Sequence, residues 1–194
     1  MIKIKWSIWG LCFIMDLRNG QELYSMYKIC KTEKSMERQK LFQTTLLIMM
    51  KKQKYQDISV TWLCKEMEIP RKTFYRYYDT LDDVLYAIID EALTEGFLYL
   101  EVKADLVGFF AYWQKKKGLL DVLEKSGLSP LLVNRIYERF NENISKEVFS
   151  NEDLRYSGYV AAIMTMLLAW HHFGMKQSVE EMSQQVKYMF KLED

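Results

Sequence analysis

Arg71, Lys72, Thr73, Tyr75, Arg76 and Tyr77 crowd into one short run, IPRKTFYRYY from Ile69 to Tyr78. Cations, a hydroxyl and phenols on a single short, exposed helix are what phosphate contacts and base-edge reading require. That is binding chemistry, and nothing in the chain suggests bond-breaking chemistry beside it. His171 and His172 are the only histidines. Neighbours on a helix point about 100° apart, so the two cannot chelate a metal together without outside ligands. They read as helix-end cations or interface residues. Asp82-Asp83 and Glu180-Glu181 fall at helix starts, where the backbone dipole accounts for them. No nucleophile, base and orienting group form a set, and no Gly-rich phosphate loop stands out. The expectation is no catalytic residue, no metal, no cofactor and no enzyme.

The elements that must hold this run are legible around it. Ser59 can cap a helix whose Val60, Leu63, Cys64 and Met67 share one face. Met67, Glu68 and Ile69 make a tight corner. Pro70 suits the first turn of the next helix, Pro70 to Tyr77, because its missing N–H costs nothing there. Phe74 and Tyr78 then point inward. A long helix, about Glu37 to Lys54, comes before, with Leu41, Leu47, Ile48 and Thr44 expected on its inner face. A Gln-Lys-Tyr-Gln-Asp connection follows it, anchored by Tyr55. Thr80-Leu-Asp-Asp83 reads as a capping box for a further helix through Val84, Leu85, Ile88 and Ile89. Two short helices at a tight corner, the second basic and aromatic, read as a helix-turn-helix module.

From Arg38 to about Leu93 the chain resembles the amino-terminal domain of the tetracycline-repressor (TetR) family of bacterial transcription regulators. The residues that carry the likeness are Tyr55 before the second helix, Ile58-Ser59 at its start and an apolar-basic pattern through Lys65. The signature Thr73-Phe-Tyr-Arg-Tyr-Tyr78 and the Thr80-capped helix complete it. Two positions depart from the family pattern. Met67-Glu68 stands where a small residue and Gly are usual, and a left-handed Glu68 would carry strain on the order of 1 kcal/mol. Pro70 stands where Ser or Thr is usual, so one side-chain cap is lost.

Charge is distributed in the same sense. The whole chain has a formal net charge of +1. Residues 37–78, however, hold nine Lys or Arg against four acids, and residues 79–194 hold 12 against 19. A basic head on an acidic body orients a molecule on a polyanion.

With 194 residues and 49% hydrophobic content there is material for one sizeable core plus a small satellite domain. Two prolines, eight glycines and twelve methionines argue for a mostly helical chain. The fold class expected is all-α. Residues 1–35 read as an amino-terminal extension, 36–80 as the helix-turn-helix domain and 81–194 as a helical effector-binding and dimerisation domain. Within the extension, the apolar run from Trp6 to Met15 is too short for a bilayer, which needs roughly 20 residues. It also lacks a small-residue cleavage site. A non-native extension, with Met26 or Met36 as the start, is preferred to an arm packing on the body. Cys12, Cys30 and Cys64 share no metal or redox spacing and suit a reducing, cytoplasmic setting.

Beyond Leu93 the punctuation is good. Asp105 to Lys117 places Phe109, Tyr112 and Trp113 on one side, and Gly118 closes it. Leu119 to Lys125 is a short helix stopped by Ser126-Gly127. Ser129-Pro130 opens a run through Leu132, Ile136, Tyr137 and Phe140. Ser150 to Asp153 is a capping-box-like start for an apolar helix to His172, with Gly174 as its stop. Ser178 to Glu181 starts the last helix, striped by Met182, Val186, Met189 and Phe190. Tyr159 to Trp170 is apolar nearly all round and so needs cover on several faces, most economically from a second subunit. Tyr159, Met166, Trp170, Met182 and Met189 are therefore expected at a dimer interface, which is also where the resemblance implies one. Stretches around Trp113 and His172 resemble the ligand domains of a branch that includes dihydroxyacetone-kinase regulators. Phe109, Tyr112, Trp113, Tyr137 and Tyr159 are the candidates for an effector cavity.

The expectation is a homodimeric, TetR-like, ligand-responsive repressor that reads a palindromic operator in double-stranded DNA. Thr73 and Tyr75 would approach bases. Ser59, Thr61, Arg71, Lys72, Arg76 and Tyr77 would hold or flank phosphates. An unknown small-molecule effector would shift the two heads, with no membrane involved. The rival is an interaction protein whose altered corner has lost DNA reading and whose dimer binds another regulator or a kinase-like partner.

Overall fold

The computed structural model describes residues 32–102, 104–143 and 151–191. They form nine α-helices, one 3₁₀ turn and one π-helical turn, with no strand among the described residues. The all-α expectation is met. In order the helices are α1 (Glu33–Lys52), α2 (Val60–Glu66), α3 (Arg71–Phe74), α4 (Leu81–Phe97), α5 (Leu106–Lys115), α6 (Lys117–Lys125), α7 (Pro130–Asn143), α8 (Asn151–His172) and α9 (Val179–Phe190). Among the described residues no helix is long and apolar enough to cross a membrane.

Local chemistry explains most of the boundaries. The Ser59 hydroxyl accepts from the Trp62 N–H and starts α2. Thr80 with Asp83, and Ser178 with Glu181, close reciprocal capping boxes at α4 and α9. A third box, Thr32 with Ser35, starts α1 four residues earlier than the Glu37 expected. Gly118 does not end α5: the break falls at Lys116, and Gly118 sits in the first turn of α6. Restarting there lets α6 bury Leu119, Leu120 and Leu123. The cap expected from Ser150 to Asp153, the Phe140 side chain and the expected extension up to residue 31 lie outside the described residues.

The helices α1 to α3 pack around Phe42, Leu46, Met50, Leu63, Phe74 and Tyr78, all fully buried. The inner face of α1 is therefore Phe42, Leu46, Met49 and Met50, whereas Leu41 and Ile48, expected inside, are exposed. Apolar residues lie on both sides of this helix, so the sequence alone did not decide which side the core takes. Helix α4 is the element common to both parts. It packs on α1 with one side and on α5 and α7 with the other, and the apolar core runs unbroken from Phe42 to Val186. Inside the body, Arg135 of α7 is buried against Asp90 of α4, with Nη2 donating to Oδ2 at 2.6 Å and Nε to Oδ1 at 3.1 Å. Arg135 also pairs with Glu138 and lies over the Tyr86 ring.

The α6–α7 corner carries the seam between the two parts. The Tyr55 N–H donates to the Ser126 hydroxyl at 3.0 Å, and Gln56 Nε2 donates to the Ser126 carbonyl at 2.8 Å. Lys125 Nζ donates to the Lys51 carbonyl at 2.8 Å. Tyr55, the expected anchor, also donates its hydroxyl to Asp82. Burial and the Asp82 carboxylate push the ionisation of that phenol well up.

Candidate nucleic-acid interface

Helix α3 is one turn of α-helix that continues as turn through Tyr77, with Tyr77 and Tyr78 N–H groups both donating to the Phe74 carbonyl. It is shorter than the Pro70 to Tyr77 helix expected at both ends: Pro70 is an extended N-cap, and Tyr75 to Tyr77 are turn. Four residues have almost no helical stability of their own. Aromatic packing holds them. Phe74 meets Phe42 edge-on at 5.4 Å, and Tyr78 meets both rings at 6.0 Å. With Phe74 and Tyr78 fixed inside, the positions between and before them are turned outward.

Arg71, Lys72, Tyr75 and Arg76 are exposed, and Thr73 and Tyr77 are half-buried. Tyr75 is 41% exposed, and its hydroxyl accepts from Arg71 Nη2 at 3.0 Å while the guanidinium lies 5.8 Å from the ring centre. The two side chains form a preset fork. Tyr77 is tied to Phe42 at 5.8 Å. On α2, Thr61 and Trp62 are exposed, and the Ser59 hydroxyl is committed to its cap. The eight residues expected at a DNA contact thus fall on or beside one helical corner. Trp62 is a further exposed aromatic there, beyond the eight residues expected. Its place in the first turn of α2 was the available signal.

The corner itself has a defined shape. Glu68 adopts φ 54°, in the left-handed region. The Ile69 N–H donates to the Cys64 carbonyl at 3.0 Å and the Glu68 N–H to the Lys65 carbonyl at 3.1 Å. This is the paired bonding of a Schellman stop. Helices α6 and α8 end in the same way, with Gly127 and Gly174 in the left-handed position. Only α2 of these three places a side chain there.

The body residues divide differently from the expectation. Phe109 and Trp113 are fully buried and meet at 6.4 Å. The buried Tyr112 donates its hydroxyl to the Ala92 carbonyl and Glu95 at 3.0 and 2.9 Å. Burial and Glu95 push that phenol's ionisation well up. Tyr159 packs edge-on against Phe190 at 4.8 Å, and burial pushes its hydroxyl up to about 12. Tyr137 does not join them: it is 67% exposed, because α7 turns Leu132, Arg135 and Ile136 inward. Among the residues expected at a dimer interface, Tyr159, Trp170 and Met182 are buried in the chain's own core. The Trp170 ring meets Phe110 at 5.7 Å, and its Nε1 donates to the Gln177 carbonyl at 3.1 Å. Met166 is half-buried, and Met189 is 53% exposed. The apolar residues that α8, α9 and the turn between them leave outside are Leu154, Phe173, Tyr188 and Met189.

His171 and His172 approach Asp121 and Glu124 of α6. No group of three or more His, Cys, Asp or Glu side chains among the described residues has a metal-binding arrangement. In comparisons with protein-family models, curated proteins and solved structures, the chain matches none.

Proposed function

We propose that this chain is a TetR-like, ligand-responsive transcription repressor that binds double-stranded DNA as a homodimer, with α2 and α3 as its helix-turn-helix. The observation that carries the reading is the outer face of α3. Lys72, Tyr75 and Arg76 stand exposed on a turn whose inner residues, Phe74 and Tyr78, are fully buried. Long cationic and phenolic side chains on a rigidly seated short helix suit insertion into a major groove. The surplus of basic residues in 37–78 supports the same orientation. The Arg71–Tyr75 fork adds a guanidinium and a phenol that enter as one unit. For the dimer, Leu154 and Phe173 at the two ends of α8, with Tyr188 and Met189 on α9, supply apolar surface for a second copy. An effector acting through the body would reach the head by way of α4 and the Ser126 seam.

The test is selection of bound genomic fragments, then anisotropy titration of the enriched duplex at two salt concentrations. A palindromic site should be enriched, and Tyr75→Ala should weaken its binding more than that of a scrambled duplex. Lys72→Ala should reduce the slope of log affinity against log salt by about 1, the signature of one lost phosphate contact. Equal binding to scrambled DNA, unaltered by Tyr75→Ala, would overturn the reading and favour the interaction protein.

A further inference from the structure

Arg71 is the first residue of α3, and its exposed guanidinium is held on one side. Nη2 donates to the Tyr75 hydroxyl at 3.0 Å, with the guanidinium carbon 5.8 Å from the ring centre. The Tyr75 ring is itself seated. It meets the fully buried Phe74 edge-on at 5.4 Å, and Phe74 in turn meets Phe42. A chain of contacts therefore runs from the core to an exposed cation. Among the described residues, Arg71 is the one cation of this run that another side chain holds; Lys72 and Arg76 have no such partner. A phosphate can be held by a point charge on a flexible stem, as Lys holds it. Fixing the plane of a guanidinium matters where the partner is planar and directional.

We propose that Arg71, positioned by Tyr75, reads a guanine in the major groove of each half-site, an assignment that rests on the DNA-binding reading of α2 and α3. A guanidinium carries five N–H donors and no acceptor, and the bond to Tyr75 engages one of them. The edge left for DNA therefore offers donors alone. Guanine presents two neighbouring acceptors, N7 and O6, in the major groove. Adenine sets an amino donor beside its N7, cytosine presents a donor, and thymine has one acceptor beside a methyl group. Only guanine takes two parallel N–H bonds from such a fork without setting donor against donor. The N-terminal side chains of a recognition helix are also those that reach base edges. The roles expected from the sequence are thereby exchanged. Arg71, expected at a phosphate, makes the base contact, and Tyr75 is its positioning residue.

The experiment uses the full chain and the duplex enriched from genomic fragments. Each guanine of one half-site is replaced in turn by 7-deazaguanine, which keeps base pairing and removes N7, and each G·C pair by A·T. Anisotropy titration gives affinities for wild type, Arg71→Ala, Arg71→Lys and Tyr75→Phe. At one guanine, the change to A·T should weaken wild-type binding about tenfold or more, and 7-deazaguanine should weaken it in the same direction. Arg71→Ala and Arg71→Lys should no longer distinguish the altered duplex from the original, while Arg71→Lys keeps the wild-type salt slope. Tyr75→Phe keeps the ring and loses the hydroxyl. It should lower discrimination at that guanine and leave it intact elsewhere, whereas a merely structural role would move all positions alike. The modified-base titrations of wild type stand by themselves if a variant fails to fold. No sensitive guanine would overturn the proposal and leave the DNA-binding reading standing. So would an Arg71→Ala variant that weakens every duplex alike and lowers the salt slope by about 1, the mark of a phosphate contact. No enrichment, or equal wild-type binding to a scrambled duplex, would instead overturn both.

Discussion

Replacing Glu68 with glycine should stabilise this protein, although it removes a side chain and adds no contact. Glu68 sits at φ 54° in the stop of α2, where an L-residue crowds its Cβ against the following carbonyl at a cost of roughly 1–2 kcal/mol. Glycine escapes that cost but gives the unfolded chain more freedom, which takes back roughly 0.4–1 kcal/mol. The difference leaves a gain on the order of 0.5–1 kcal/mol. For a chain of this length that corresponds to a midpoint about 1–4 °C higher. The same molecule supplies the precedent, since Gly127 and Gly174 fill the matching positions of α6 and α8. Thermal unfolding by circular dichroism at fixed pH would measure the shift, with Glu68→Ala as the control. Alanine removes the carboxylate and keeps the strain, so its midpoint should not rise. Should alanine match glycine, charge rather than backbone conformation would be the cause and the strain reasoning would be refuted. On the proposed function, both variants lose a negative charge beside α3 and should tighten DNA binding to a similar degree, so affinity and stability separate the two effects.

Three further outcomes are expected. Ser126→Ala removes the acceptor of the Tyr55 N–H and should cost about 1–3 kcal/mol, read as a lower unfolding midpoint with m-value unchanged. Asp90→Asn leaves the Arg135 charge buried without its full partner. It should cost about 3–5 kcal/mol, and Asp90→Leu combined with Arg135→Met should be markedly milder in denaturant titrations. Glu95 is held below the usual carboxylate range: burial pushes it up, but Lys116 and Tyr112 outweigh that. Its contribution is therefore present above the ordinary carboxylate value and lost as pH falls. Glu95→Gln should lower the midpoint near neutrality and flatten its decline in acid. An unchanged acid slope would count against that contribution.

Short-range chemistry was legible in the sequence, and long-range pairing was not. The caps at Ser59, Thr80 and Ser178 involve residues three apart, so residue types alone announced them. The inward Phe74 and Tyr78 followed from helical spacing, as did the outward Lys72, Tyr75 and Arg76. The inner face of α1 is not legible in the sequence, because Leu41 and Ile48 are as apolar as Phe42 and Leu46 and only the helices packed on it decide between the two faces. Arg135 gave no sign of being buried, since its partner Asp90 lies 45 residues away. The bond from Ser126 to Tyr55 spans 71 residues and was hidden for the same reason. Tyr159, Trp170 and Met182, expected at a dimer interface, lie in the chain's own core, because density of apolar residues does not tell a core from an interface. The ring partners of Tyr159 and Trp170, Phe190 and Phe110, do.

Helix α4 is an inner wall to two compartments at once: it packs on α1 and on α5 and α7, with Val84, Leu85, Leu93 and Phe97 buried along it and Phe97 meeting Phe109 of α5 at 6.5 Å. That sharing limits how such a chain can diverge or be recombined. A cut before Thr80 would strip the head of the wall on which α1 packs, while a cut after Phe97 would take a wall from the body. A transplanted head must therefore bring α4 with it and meet a body already shaped to receive it, so substitutions along this helix have to be accepted by both neighbours together.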